Sequence, residues 1–458
     1  MDREGNFLRL CRLTRRGAGP IITGMPNSDL ASLMTVAQAM AIIDAVPVEP
    51  RIERVPLAEA QGRRLAEDIL ADRDAPPFDK SQMDGYAVRC TDTAAAPVEL
   101  HVVGEILAGT AADRALRPGE AMAIMTGAPI PDGADGVVPV EETQKDNDRV
   151  TIRTSAVPGR YIAPRGSDVL AGQIVLRQGA MLEAAQIAMA ASVGAAHVRV
   201  FARPRVAVLS TGDELVPVGQ EPGPAQIRNS NAPMLVALLQ KLGCEVIDLG
   251  SAPDVPVEIR DAMVEGLNAD VLFVSGGMSM GTHDYVPQII SDLQFEIQIA
   301  KLRIKPGKPF VFAIRTELDS IAAHAEPIPK GGHTAIAMGR RYIFGLPGNP
   351  VSGFVCTLRL ASRLIARLGG GVPLEKWVAG KLDAGLPANG PREFYQPAVW
   401  TPPAAGGSSS RNEFPIVTPL AWKGSADLYT LASANALLVR GENEPPLAKG
   451  TLVRVLEI

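Results

Sequence analysis

The spacing of apolar residues along the chain changes character more than once. Residues 35–45, TVAQAMAIIDA, repeat at three and four, and Thr35 with Gln38 three positions on has the form of a capping box. A helix from Val36 follows. LAEAQGRRLAEDI at 57–69 and LEAAQIAMAASVGA at 182–195 read as helices by the same spacing. Between them lie short runs such as VELHVVGEIL and GVVPVEE, broken by Gly and Pro. They predict a β-rich module inserted into a helical one and ending near residue 165.

From residue 204 the texture changes. RVAVLS, EVIDLG and DVLFVS alternate with the helical patterns SNAPMLVALLQKLG at 230–243, capped by Ser230 and stopped by Gly243, and PVEIRDAMVEGL at 256–267. Strand alternating with helix predicts a doubly wound, mostly parallel sheet, with ligands at the carboxyl ends of its strands. The helix VSGFVCTLRLASRLIARLGG at 351–370 closes that unit, and EFYQPAVW, FPIVTPL, ALLVRG and TLVRVLEI beyond it predict a small β-barrel. The expected class is therefore multidomain α/β plus β. It comprises a disordered leader (1–30), a helical linking region (31–70 and 166–200), an inserted β-rich domain (71–165), an α/β domain (201–370) and a C-terminal barrel (371–458). Residues 316–340 read as a surface insertion and 401–413 as a polar loop.

Composition narrows the function. A net charge of −5, pI near 5.7 and an aromatic share of 4% leave neither the basic footprint nor the stacking surface of a nucleic-acid binder. Cys11, Cys90, Cys244 and Cys356 are far apart, which argues against a disulfide framework or thiolate zinc site and for a reducing, cytoplasmic setting. With five dispersed histidines, any metal is expected to be a hard cation on oxygen ligands. No apolar run reaches the ~18 residues that a membrane span requires. The start MDREGNFLRLCRLTRRGAGP lacks the apolar core of a signal peptide.

Four clusters could carry chemistry. PPFDKSQMDGYAVR at 76–89 holds Asp79, Lys80 and Asp84 among turn residues, and IMTGAPIPDGADGVVPVEE at 124–142 holds Thr126 at a turn. The strand-end stretches STGDEL (210–215) and VLFVSGGMSMGTHDY (271–285) carry Asp213, Glu214, Ser275, Gly276, Gly277, Ser279 and Asp284. KPGKP (305–309) brings Lys305 and Lys308, followed by GLPGNPVS (345–352). Each has a plain alternative. Asp84 before Gly85 can be a turn residue, Glu214 a helix cap, the lysines a solvated loop, Thr126 a turn hydroxyl, and His283 a surface residue. Their convergence on strand ends is what favours a site: amides, hydroxyls and lysines for anions, with carboxylates beside them for Mg²⁺. That set suits attack on a phosphate ester or anhydride.

These motifs, with GSADL at 424–428, resemble the molybdopterin molybdenumtransferase family, bacterial relatives of the gephyrin E domain. They occur in the family's order from about residue 35 to the C-terminus. The resemblance implies Mg²⁺-dependent insertion of molybdate into adenylylated molybdopterin with release of AMP, by an elongated homodimer whose site is shared between subunits. The linking region would then serve dimerisation. It implies that Asp84 and Thr126 come from the partner, that Asp84, Glu214 and Asp284 hold metal or align the hydrolytic step, and that Lys305 lies near the phosphate. Ser275, Gly276, Gly277 and Ser279 would cradle the pterin phosphate, and Lys308, Ser352, Arg392 and Ser425 the molybdate. Molybdopterin adenylyltransferase and molybdoenzyme acceptors are the implied partners. Two positions depart from the family pattern: Asn229 in IRNSN stands where Asp is common, and Ser167 in RGSD where Glu is common. An adenylyltransferase activity and a catalytically silent scaffold are the competing readings. The multiple domains oppose the first, and the intact acids and lysines the second.

Overall fold

A computed structural model describes residues 33–278, 284–315, 340–403 and 414–458. The leader, most of the 316–340 stretch, most of the polar loop at 401–413, and Ser279, Met280 and His283 lie outside the described residues.

The α/β domain is built on six strands: β1 (Arg205–Thr211), β2 (Glu245–Ala252), β3 (Val271–Ser275), β4 (Glu296–Ile299), β5 (Val311–Arg315) and β6 (Arg341–Leu346). They run in the order β2-β1-β3-β6-β5-β4, the first four parallel and the last two antiparallel at one edge. Successive residues of the central strands supply opposite cores. Val206, Val208, Phe273 and Phe344 pack on one face, and Ala207, Leu209, Leu272 and Ile343 on the other. Burial on both sides explains why these strands read as continuous apolar runs.

Helices Asn231–Lys241 and Pro350–Cys356, the latter continuing through a π-helical turn into Ser362–Leu368, cover the first face. Pro256–Gly266 and Val286–Asp292 cover the second. The predicted capping box of Thr35 and Gln38 is present, and its helix, Val36–Ala45, buries Val36, Ala39 and Ile43 in the first-face core. An ion pair between Arg363 and Asp44 at 2.5 Å holds that helix to the domain, so it packs on the α/β unit rather than within the linking region.

Residues 57–69 are not a helix. Leu57–Glu59 make one 3₁₀ turn, Gly62 sits at φ +70°, and the amides of Leu65 and Ala66 donate to Ala180 O and Arg199 O across the module. Tertiary partners for those donors override the helical spacing. The linking region combines helix Ala184–Ser192 with two antiparallel pairs, Ile52–Pro56 with His197–Phe201 and Ile69–Leu70 with Ile174–Leu176. The inserted domain is a six-stranded mixed sheet, with Gly85–Val88 flanked by Gly136–Pro139 and Glu120–Ile124. In the C-terminal domain five strands close on themselves: Trp377–Leu382, Leu452–Glu457, Ala436–Arg440, Glu393–Thr401 and Ile416–Pro419. Closure removes the exposed edges that such short strands would otherwise present. Ile304–Lys305 adds to this barrel alongside Glu393–Phe394. Among the described residues no helix is long and apolar enough to cross a membrane.

Candidate active site

The carboxyl ends of all four parallel strands open into one cleft of about 1020 Å³. β1 supplies Thr211, Gly212 and Glu214; β3 supplies Ser275, Gly276 and Gly277; the turn after β6 supplies Pro347, Gly348 and Asn349; Asp254 follows β2. Asp284 lies on the same wall, and Ala426, Leu428 and Tyr429 of the C-terminal domain form the facing rim.

The glycines are there because side chains would not fit. Gly276 has φ +106°, and a Cβ on it would lie 2.4 Å from Thr211 O; one on Gly277, at φ +62°, would lie 2.9 Å from Val286 Cγ2. Gly348 is less constrained, its Cβ position in ordinary contact at 3.7 Å from Gly276 Cα. Bare backbone is thereby exposed to the cleft where a phosphate could approach. Glu214 folds back over Gly212, whose Cβ position is 2.4 Å from the carboxylate. Met278, by contrast, is buried against Gly345 and serves the core.

Asn229 turns out to be a cap. Its Oδ1 accepts from Ala232 N at 3.1 Å and from Ser210 Oγ at 3.3 Å, which starts helix Asn231–Lys241; Ser230, expected to do this, makes no side-chain cap bond. Asn231 was not singled out by sequence, and the structure makes it a wall of the cleft. Its Nδ2 donates to Ser275 Oγ at 2.9 Å and to Gly348 O at 2.7 Å, tying the turns after β3 and β6 together. Since a carbonyl can only accept, the nitrogen must face Gly348. The Oδ1 of Asn231 is left buried without a partner among the described residues, as is Thr211 Oγ1.

The cationic segment reaches this cleft only through Pro309, and neither Lys305 nor Lys308 lines it. Pro309 and Ala426 reach the cleft, next in sequence to Lys308 and Ser425. Val351 N donates to Ser425 O, and a Cβ on Gly307 would lie 2.6 Å from Cys356 Sγ, so the KPGKP turn, the helix bearing buried Ser352 and the GSADL loop are packed together. Arg392 precedes the strand that pairs with Ile304–Lys305. Lys305 itself turns to the barrel, with Nζ 4.7 Å from the centre of the Phe394 ring. It does not line the cleft. The barrel strand supplies an aromatic face that no local reading of KPGKP includes.

Asp84 and Thr126 form a unit in the inserted domain, outside the cleft of their own chain. Asp84 Oδ1 accepts from Thr126 N and from Thr126 Oγ1, both at 2.7 Å. The backbone bond first, and the hydroxyl second, hold the Asp84 carboxyl below its ordinary range, so it is anionic at neutral pH. Of the three acids expected to hold metal, Glu214 and Asp284 share the cleft and Asp84 does not. Among the described residues no three acid, His or Cys side chains form a metal cluster.

Three family profiles match consecutive parts of the chain: "MoeA N-terminal region (domain I and II)" over 34–194, "Probable molybdopterin binding domain" over 207–367, and "MoeA C-terminal region (domain IV)" over 379–458. A molybdopterin molybdenumtransferase of Nostoc sp. is 36% identical over 426 residues, covering 89% of this chain and 88% of that protein. This chain belongs to the molybdopterin molybdenumtransferase (MoeA) family. Molybdopterin molybdenumtransferase 2 of Mycobacterium tuberculosis is 33% identical over 417 residues, 88% of this chain and 94% of its own length. Among solved structures, the molybdopterin biosynthesis moeA protein of Pyrococcus horikosii superposes with a TM-score of 0.75 at 29% identity, covering 93% of this chain and 99% of that one. The MoeA arrangement accounts for the inserted domain, the α/β unit and the closed barrel in one chain.

Proposed function

We propose that this chain is the transferase of molybdenum cofactor biosynthesis that inserts molybdate into adenylylated molybdopterin and releases AMP. The observation that supports it best is the cleft at the four strand ends, where the Gly276–Gly277 turn presents backbone beside Glu214 and Asp284. That turn would hold the phosphate of the pterin. Glu214 and Asp284 fit a Mg²⁺ ion, which takes one or two carboxylates and fills its shell with water and phosphate oxygens. When bound, the ion would neutralise charge on the phosphoanhydride. Lys308, Ser352, Arg392 and Ser425 would receive the molybdate oxyanion from the adjoining packed segments.

The placement of Asp84 and Thr126 outside their own cleft favours a homodimer in which they reach the cleft of a second copy. There the anionic Asp84 would orient the hydrolytic step, held in place by Thr126. Asp84→Asn and Lys308→Ala are expected to abolish cofactor formation from adenylylated molybdopterin and molybdate. Full activity in both would refute the assignment. AMP release should require both Mg²⁺ and molybdate. Sharing has its own test. Asp84→Asn and Glu214→Gln subunits, each inactive alone, should regain roughly a quarter of wild-type activity on mixing, because half the dimers are mixed and each holds one intact site. No recovery from a mixture shown to exchange subunits would place the site within a single chain.

A further inference from the structure

A second cavity lies at the opposite end of the sheet, where the chain crosses between domains. It leaves the α/β unit after helix Val36–Ala45, enters the linking region at Ile52, and returns after Phe201. The two crossing segments are bonded to each other. Ala202 N donates to Arg51 O at 2.8 Å, and Arg51 Nη2 donates to Arg203 O at 3.2 Å. Between this crossing and the amino ends of β1, β3 and β6 is a cavity of about 280 Å³, lined by Arg51, Arg203, Arg340 and Arg341 with Glu49 and Asp270.

The charges in this cavity do not cancel. Asp270 Oδ2 accepts from Arg51 Nη2 at 3.0 Å, which neutralises one guanidinium. Arg203 and Arg340 remain beside Glu49, while Arg341 also feels the Asp270 carboxylate and Arg340 Nη1 donates to Pro47 O. The exposed Arg203 guanidinium makes no hydrogen bond or ion pair with a described residue, and Arg340 Nε is buried without a partner among them. Arg341, 5% exposed, donates to the carbonyls of Leu267 and Arg340. Planar forks from two sides of a cavity suit an anion that can accept several bonds at once. The proposed transferase chemistry uses none of these residues.

We propose that this cavity binds a phosphate-type tetrahedral oxyanion, which bridges Arg203 on the crossing to Arg340 and Arg341 at the sheet end. So placed, the anion would clamp the only two covalent connections between the linking region and the α/β domain. The inserted domain that carries Asp84 rides on that region, so the clamp would fix where Asp84 lies relative to its own sheet. The site does not depend on what the strand-end cleft does.

Calorimetric titration of the full chain with inorganic phosphate at low salt tests the site. Arg203→Ala should weaken binding about tenfold, the size expected for losing one charge-assisted contact, whereas Lys308→Ala should leave this event unchanged. Hydrogen exchange at residues 46–51 and 201–204 should slow when phosphate is added to the wild type and not when it is added to Arg203→Ala. Arg203→Lys keeps the charge without the fork and should fall between the two, which guards against a folding defect in the alanine variant. Binding of phosphate alone would assign a free ion, and tighter binding of a sugar phosphate a phosphorylated metabolite; either supports the site. Phosphate binding that Arg203→Ala leaves unaltered, or that Lys308→Ala removes, would overturn it. Binding without slower exchange at the crossing would overturn the clamp.

Discussion

At Gly276 the backbone takes φ +106° and the Thr211 carbonyl sits where a side chain would begin. Gly276→Ala must therefore push the ends of β1 and β3 apart. A displacement of that kind in a positioning turn costs on the order of 100-fold in rate, so AMP release should fall by about that factor while far-UV circular dichroism is retained. Such glycines were legible only through convergence, since a GG alone is more often a plain turn and it was the neighbouring strand-end loops that favoured a site. Lys305 and Asn231 were not, since the partners that orient them, Phe394 and Gly348, lie far along the chain. Asp84 offers a test by pH. The two bonds from Thr126 favour its charged form, so their stabilisation is present above the ordinary aspartate range and is lost as pH falls through the lowered value. Thr126→Val removes the hydroxyl bond and keeps the backbone one. The acid limb of the activity profile should then move to higher pH, and an unmoved limb would mean that Asp84 ionisation does not control the rate.

Among the elements, helix Asn231–Lys241 shows where local reading worked and where it stopped. Its extent and its end at Gly243, φ +86°, followed from spacing and composition. The cap was assigned one residue late, because Asn229 and Ser230 are equally good caps by type and only the fold decides: Ser230 takes a helical backbone, while Asn229 points its oxygen at Ala232 N. Residues 57–69 failed for a related reason: their apolar spacing is helical, but the amides of Gly62, Leu65 and Ala66 are taken by carbonyls more than 100 residues away. Asn229→Ala should cost about 1 kcal/mol, the usual value of an N-cap, read as a shift in the denaturation midpoint. Asn229→Asp keeps the accepting oxygen and adds a carboxylate to the cleft wall. It should retain the stability and lower the Mg²⁺ concentration for half-maximal activity. A loss of stability in both variants would assign Asn229 a role other than capping.

At the scale of the whole molecule, the domain order and the parallel sheet were legible because each rests on repeated local signals, but the way the domains grip one another was not. That grip centres on Arg359, in the π-helical turn between Pro350–Cys356 and Ser362–Leu368. It is 6% exposed, donates to Tyr395 Oη at 2.7 Å, pairs with Glu375, and lies over the rings of Trp377 and Tyr395. Tyr395 Oη in turn donates to Glu393, next to Arg392, so one buried arginine on the α/β unit fixes the barrel strand that leads to a proposed molybdate ligand. Removing the arginine takes the nearest partner from Glu375 and leaves it Arg363 at 3.5 Å and Trp377 Nε1 at 3.0 Å, so the cost should fall below the about 3–5 kcal/mol of a buried charge left wholly uncompensated. Arg359→Met replaces the stem but not the charge, so Tyr395 and Glu393 lose the cation that faces them. Guanidinium unfolding followed by tryptophan fluorescence, which reports the C-terminal domain because Trp377, Trp400 and Trp422 all lie there, should show a transition ahead of that seen by far-UV circular dichroism in this variant, where the wild type shows the two together. Arg359→Met combined with Glu375→Gln should recover part of the loss. A single shared transition in Arg359→Met, at the wild-type midpoint, would show that the two domains are held together by their apolar contacts alone.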